Sequence, residues 1–214
     1  MTAKDCGHHD DDDGHFARRL FSCLLGLVVA VLFTVLLIFL VLRPTKPSFI
    51  LRDATVYEFN STASPTLLTT TVQVTISTRN PNARVGIYYQ MLDAYASYRG
   101  QQITLPVQLP DSYQGHKEIV EWSPFLYGDS VPVSPFLASS LAEDQNAGAV
   151  LVNVKVDGKV KWKVGTWVSG KYLLHVSCPA LLVFQSQDGG TTYDGAAVQS
   201  SMKFQATQHC NVDV

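Results

Sequence analysis

The chain has 214 residues, enough for one domain with a real core once a long apolar segment near its start is set aside. It carries 16 basic and 18 acidic residues, a formal charge of −2 at pH 7. That balance lacks the net basic footprint that phosphate-backbone binding needs, so nucleic acid is not an expected partner.

Residues 1–19 are polar and charged, with Cys6-Gly7-His8-His9, then Asp10 to Asp13, then His15. Imidazole, carboxylate and thiol can each ligate a divalent ion. Nothing in the pattern fixes their geometry, so a disordered tail is expected rather than a metal site, and no cofactor is expected. Thr2 excludes N-myristoylation.

From Leu20 to Leu42 the chain reads LFSCLLGLVVAVLFTVLLIFLVL, free of charge and of proline. About 20 such residues in a helix cross a bilayer core. The run is longer than a signal-peptide core and continues into Arg43-Pro44 with no small-residue cleavage site, so residues 20–42 are predicted to be an uncleaved transmembrane anchor in the lipid bilayer. Cys23, next to Arg18 and Arg19, is read as a plain buried thiol, with palmitoylation as the alternative. The chain ends in Cys210-Asn211-Val212-Asp213-Val214, with no apolar tail of the kind a GPI signal requires.

Flanking charge barely orients the anchor: Lys4, Arg18 and Arg19 precede it, and Arg43, Lys46 and Arg52 follow it. Two features break the tie. Asn60-Ser61-Thr62 is the only N-glycosylation sequon, since Pro81 excludes Asn80, and Cys178 and Cys210 lie in the large domain. Both favour a cytosolic tail and a domain at residues 43–214 outside the cytosol.

Beyond the anchor the apolar period becomes two. Leu68, Thr70, Val72, Val74 and Ile76 share one face of a predicted strand. It ends at Asn80-Pro81-Asn82, a turn set by proline and by an asparagine that tolerates left-handed backbone. Shorter strands are predicted at Val85 to Tyr89 and at Ile103 to Leu109, with a turn at Arg99-Gly100, and one helix is predicted from Ser134 to Asp144, with Pro135 in its first turn. Val150 to Val164 reads as a hairpin turning through Val156-Asp157-Gly158, with Val154 opposite Val160 and Val152 opposite Trp162. Leu174, Val176 and Cys178 share a face of another strand, and Met202, Phe204, Ala206, Cys210, Val212 and Val214 share a face of the last. Many short strands with almost no helix predict a mainly β fold, an antiparallel immunoglobulin- or fibronectin-III-like β-sandwich.

Catalytic signatures are absent: the sequence has no G-x-S-x-G, H-E-x-x-H, Walker loop or C-x-x-C. His116, His175 and His209 each stand alone in the pattern, and Trp122, Trp162 and Trp167 read as packing residues. Cys178 and Cys210, on apolar strand faces, are expected to form a disulfide, with two buried thiols as the alternative. In the hairpin register Lys155 lies opposite Lys159 and Asn153 opposite Lys161, with Lys163 further along. These lysines either shield a sheet edge or bind an anion, a lipid headgroup or an acidic cell-wall polymer.

Several strings together resemble the plant harpin-induced and non-race-specific-disease-resistance-like family. They are Asn80-Pro81-Asn82 with Tyr88-Tyr89, Tyr113-Gln114-Gly115-His116-Lys117, Trp162-Lys163-Val164-Gly165-Thr166-Trp167, Cys178-Pro179 and the terminal Cys210-Asn211-Val212-Asp213-Val214. Gln90 departs from the pattern, where an acidic residue is expected. The resemblance implies a late-embryogenesis-abundant type 2 β-sandwich at the plasma membrane, a role in defence, the hypersensitive response and stress, protein partners in that signalling, and no catalytic residues. A non-enzymatic surface protein is thus the leading expectation. A lipid-binding module would show an apolar slot between the sheets, and a cell-wall hydrolase would show paired carboxylates in a cleft.

Overall fold

The structure is a computed structural model that describes residues 11–42, 44–60, 66–184, 202–204 and 207–214. It forms two units, one ending at Arg43 and one spanning Pro44–Val214. The first is the helix α1, Asp11–Leu42. Its stretch Arg18–Leu36 is long and apolar enough to cross a membrane, and all of it is exposed. The helix begins well before the apolar run, which corrects the expectation of a disordered tail through residue 19. Residues 1–10, with Cys6, His8 and His9, lie outside the described residues.

The second unit is built from antiparallel strands. They are β1 (Ser48–Asn60), β2 (Leu67–Arg79), β3 (Gly86–Tyr98), β4 (Gln101–Gln102), β5 (Val107–Leu109), β6 (Ser112–Gln114), β7 (Ile119–Trp122) and β8 (Phe125–Pro132), followed by the helix α2 (Pro135–Asn146). After it come β9 (Ala149–Val164), β10 (Trp167–Val168), β11 (Tyr172–Phe184), β12 (Met202–Phe204), β13 (Gln208–His209) and β14 (Asn211–Asp213). One layer pairs β1 with β2, and β2 with β7 and β8; the other pairs β3 with β9 and β9 with β11. This is the predicted two-layer antiparallel β-sandwich. β12 pairs with both β11 and β1 and so joins the layers along one side. On the other side, Ile103 donates its N–H to Ala96 of β3, and Leu105 donates to Tyr127 of β8.

The core follows the alternation read from the sequence. Val72, Val74 and Ile76 of β2 face Leu51, Ala54 and Val56 of β1, and at one end Phe49, Tyr89 and Trp122 form an aromatic cluster with ring centroids 5.6–6.5 Å apart. Ser134 caps α2, its hydroxyl accepting the Leu137 N–H at 3.2 Å, and Leu137 and Leu141 are buried.

The hairpin expected at Val156-Asp157-Gly158 does not form. β9 runs unbroken for 16 residues, flanked by β3 and β11. Gly158 serves a bulge in the neighbouring strand: Gln90 pairs with Lys159 and Asp93 with Asp157, so Met91 and Leu92 together face Gly158. A Cβ at Gly158 would come within 2.5 Å of Leu92 Cδ2 and 2.7 Å of the Met91 carbonyl oxygen. Glycine is there for close approach, not for a turn. Lys155 therefore does not oppose Lys159, and β9, paired on both sides, is no sheet edge for lysines to shield.

Candidate functional site

In an unbroken strand, alternation sorts β9 into two faces. Val150, Val152, Val154, Val156, Val160 and Trp162 point into the core. Lys155, Asp157, Lys159, Lys161 and Lys163 share the outer face. Strand geometry spaces successive members of such a row by about 6.6–6.8 Å. All four lysines are half-buried. Among the described residues Lys155, Lys159 and Lys161 have no ion-pair or hydrogen-bond partner. Lys163 lies over the Tyr113 and Tyr88 rings, 5.1 and 5.7 Å from their centroids.

Next to this row is a cleft of about 290 Å³ on the same face, lined by Tyr95, Lys155, Asp157, His175, Ser177 and Asp213, among others. Strand register brings these residues together: Tyr95 pairs with Lys155, Asp157 with His175, and His175 with Asp213. The Tyr95 hydroxyl donates to Asp157 Oδ2 at 2.7 Å, and His175 Nδ1 lies 2.8 Å from Asp157 Oδ1. Burial, reinforced by the Asp157 carboxylate, pushes the Tyr95 phenol up to about 12. Asp157 is thus engaged by Tyr95 and His175 rather than by the lysines beside it. Asp213 meets Lys46 at 3.3 Å. Among the described residues no three His, Cys, Asp or Glu side chains converge as a metal site would require.

The Asn80-Pro81-Asn82 turn is the buried hub of one end of the domain. Asn80 Nδ2 donates to the carbonyls of Val85 (2.8 Å) and Gly115 (2.9 Å), while its Oδ1 accepts from the Asn82 N–H and Nδ2, both at 2.9 Å. Asn82 also exchanges two hydrogen bonds with the Thr45 backbone, each 2.8 Å. Lys117 Nζ donates to the Pro81 carbonyl, and the Gly115 N–H donates to Glu118. Gln114, on β6, bridges to this hub: it accepts from the Tyr89 hydroxyl and donates to the carbonyls of Thr78 and Glu118.

Cys178 and Cys210 are joined by a disulfide, with Cα atoms 4.3 Å apart. Cys178 lies mid-β11, and the Cys210 N–H donates to Phe49 O, so the bond ties the last segment to both layers. Cys23 is an exposed free thiol on α1. Asn60 is the last residue of β1, and the Ser61 and Thr62 of its sequon lie outside the described residues. The sequence reading missed the Tyr95–Asp157–His175 group because it placed Asp157 in a turn. The available signal was the parity of β9, which runs through Asp157 without a break.

The family described as Late embryogenesis abundant protein matches residues 75–179, which includes the asparagine hub, β3, β9 and all four lysines. The chain is 47% identical over 212 residues to NDR1/HIN1-like protein 1 of Arabidopsis thaliana, covering 99% of this chain and all of the relative. It is 46% identical over 215 residues to NDR1/HIN1-like protein 12 of the same plant, covering both chains completely. The chain belongs to the NDR1/HIN1-like family. NDR1/HIN1-like protein 26 is a further relative, 41% identical over 78% of this chain and 79% of its own. No solved structure matches. The exposed apolar stretch of α1 is compatible with a single-pass anchor in a protein of this family.

Proposed function

We propose that this NDR1/HIN1-like chain is a non-enzymatic, plasma-membrane-anchored protein of plant defence and stress responses. Its domain stands outside the cytosol and engages a linear polyanion, such as a galacturonate-rich cell-wall polymer, through the lysine face of β9. The observation that carries the reading is the row Lys155, Lys159, Lys161 and Lys163 on one face of a central strand. Like charges this close destabilise a sheet slightly, and such a row suits an extended ligand with regularly repeated carboxylates. Two further features support a binding protein over the rival roles. The sandwich interior is filled by side chains and bridged on both sides, which argues against an acyl chain held between the sheets. In the cleft, Asp157 is held by Tyr95 and His175 and Asp213 by Lys46, which argues against a free carboxylate pair.

The test is binding of the chain to polygalacturonate at physiological salt, before and after all four lysines become glutamine. Loss of binding in the variant is expected, and equal binding by both proteins overturns the polyanion reading. Topology is tested separately: protease added to intact cells should remove the domain. A domain protected until the membrane is permeabilised reverses the proposed orientation.

A further inference from the structure

The segment from Gly158 to Leu174 holds Lys159, Lys161, Lys163 and Lys171 and no acidic residue. Its turn exposes Trp167 (62%), Val168 (41%) and Tyr172 (49%), whereas the other two tryptophans, Trp122 and Trp162, are each only 7% exposed. The turn is braced. β10 pairs with the end of β9, Ser169 donates its N–H to the Trp162 carbonyl, and the Ser169 hydroxyl accepts the Trp162 N–H at 2.9 Å. Such bracing holds an indole in solvent with no internal partner. An amphipathic ring beside lysines is the composition that settles at the headgroup level of a bilayer.

Position in the fold points the same way. Val168 pairs beside Lys163, Lys163 pairs with Gly86, and the neighbouring Val85 carbonyl is held by Asn80. Through Asn82 that hub grips Thr45, in the segment with which the second unit begins. The turn therefore lies at the end of the sandwich that holds the start of that unit, together with Lys46, Arg84 and Lys117.

We propose that this end of the domain docks on the bilayer, with Trp167 and Val168 entering the interface and the surrounding lysines meeting lipid phosphates. The proposal rests on α1 being an anchor; it shares Lys161 and Lys163 with the polyanion reading, but its readout, Trp167, lies outside that lysine row. Because α1 and residues 1–10 contain no tryptophan, and Trp122 and Trp162 are buried, Trp167 is a native probe in the full chain.

The experiment reconstitutes the full chain into phosphatidylcholine vesicles, with ordinary or with acyl-brominated lipid, and records tryptophan emission for wild type and Trp167→Phe. Trp122 and Trp162 emit as buried indoles in both proteins, so the Trp167 signal is the difference between wild type and Trp167→Phe. The expected result is a difference emission blue-shifted from that of a water-exposed indole and quenched by the brominated lipid, while Trp167→Phe itself is indifferent to bromine. Emission at the water-exposed position and indifferent to bromine overturns the docking. A blue shift without quenching also overturns it, and assigns Trp167 to a contact with a second copy or another protein. Failure of the chain to float with the vesicles defeats the anchor reading itself, and with it this proposal. A variant with Lys161, Lys163 and Lys171 changed to Gln should be quenched less than wild type, and undiminished quenching removes the lysines from the contact.

Discussion

The asparagine hub and the lysine face are both rich in polar side chains, and they solve opposite problems. Asn80 is fully buried, and its amide makes hydrogen bonds on both its nitrogen and its oxygen. The lysines of β9 are half-buried, and three of the four have no partner among the described residues. A buried polar group must be satisfied internally because leaving it unmade costs about 1–3 kcal/mol. A charge at the surface can wait for solvent or a ligand at little cost. Removing a hub residue should therefore cost stability, while removing a lysine should cost binding.

The sharpest break is Asn80→Ala. It strands the carbonyls of Val85 and Gly115 and removes the acceptor of two Asn82 donors. A loss of about 3–4 kcal/mol is expected, on the order of two unsatisfied buried groups. Urea denaturation of the two proteins measures it. A loss under about 1 kcal/mol would mean that the hub relaxes or that water replaces the amide.

The Cys178–Cys210 disulfide should be worth about as much. It closes a separation of 32 residues, and replacing both cysteines with alanine should destabilise by about 3–4 kcal/mol through the unfolded chain. Gly158→Val should cost about 2 kcal/mol, because its side chain would meet Leu92 and the Met91 carbonyl. A turn glycine in a hairpin would tolerate valine differently, with strain from positive φ rather than from a facing bulge. Gly158 is not among the glycines with positive φ.

That glycine also marks where the sequence stopped being legible. Period-two alternation located β2 and the inner face of β9, because burial on one face leaves a direct imprint on residue type, and Pro135 marked the first turn of the helix after Ser134. Asp157-Gly158 carries the residue types of a hairpin turn, yet the bulge it serves sits in β3, some 65 residues away in sequence. No local rule contains that information. The disulfide was legible because only two cysteines lie in the domain. The Asn80-Pro81-Asn82 string read only as a turn, since its partners at Thr45, Val85 and Gly115 come from three separate segments. Once β9 is straight, the lysines fall on one face by parity alone.

Two tyrosines bear on the comparison through pH. Burial, helped by Asp157 and by Asp144, pushes Tyr95 and Tyr98 up to about 12 from the ordinary value of 10.0. The folded protein then holds these protons more tightly than the unfolded chain. Their contribution to stability is complete below about pH 10 and is lost as pH rises towards about 12. Thermal unfolding followed across pH 8–12, with tyrosinate absorbance recorded in parallel, should show this alkaline decline. Tyr98→Phe, which removes the 2.6 Å bond to Asp144, should flatten it. An unchanged alkaline slope in that variant would put the linkage elsewhere.

The smallest effect on stability, and the most informative about function, is expected at the lysines. Changing Lys155, Lys159, Lys161 and Lys163 together to glutamine removes four like charges from one face of a strand. It keeps the inner two methylenes of each stem, and only Lys163 loses a described contact, with Tyr88 and Tyr113. Relief of repulsion and loss of that cation–π contact oppose each other, each worth about 1 kcal/mol or less, so the net change should stay within about 0.5 kcal/mol. Polyanion binding should fall in the same protein, and wild-type binding should weaken steeply with salt. If the variant instead lost several kcal/mol, the lysines would be part of the scaffold like Asn80, and the contrast between the two regions would collapse. Unchanged stability with lost, salt-sensitive binding leaves the outer face of β9 as a surface kept charged for a ligand rather than for the fold.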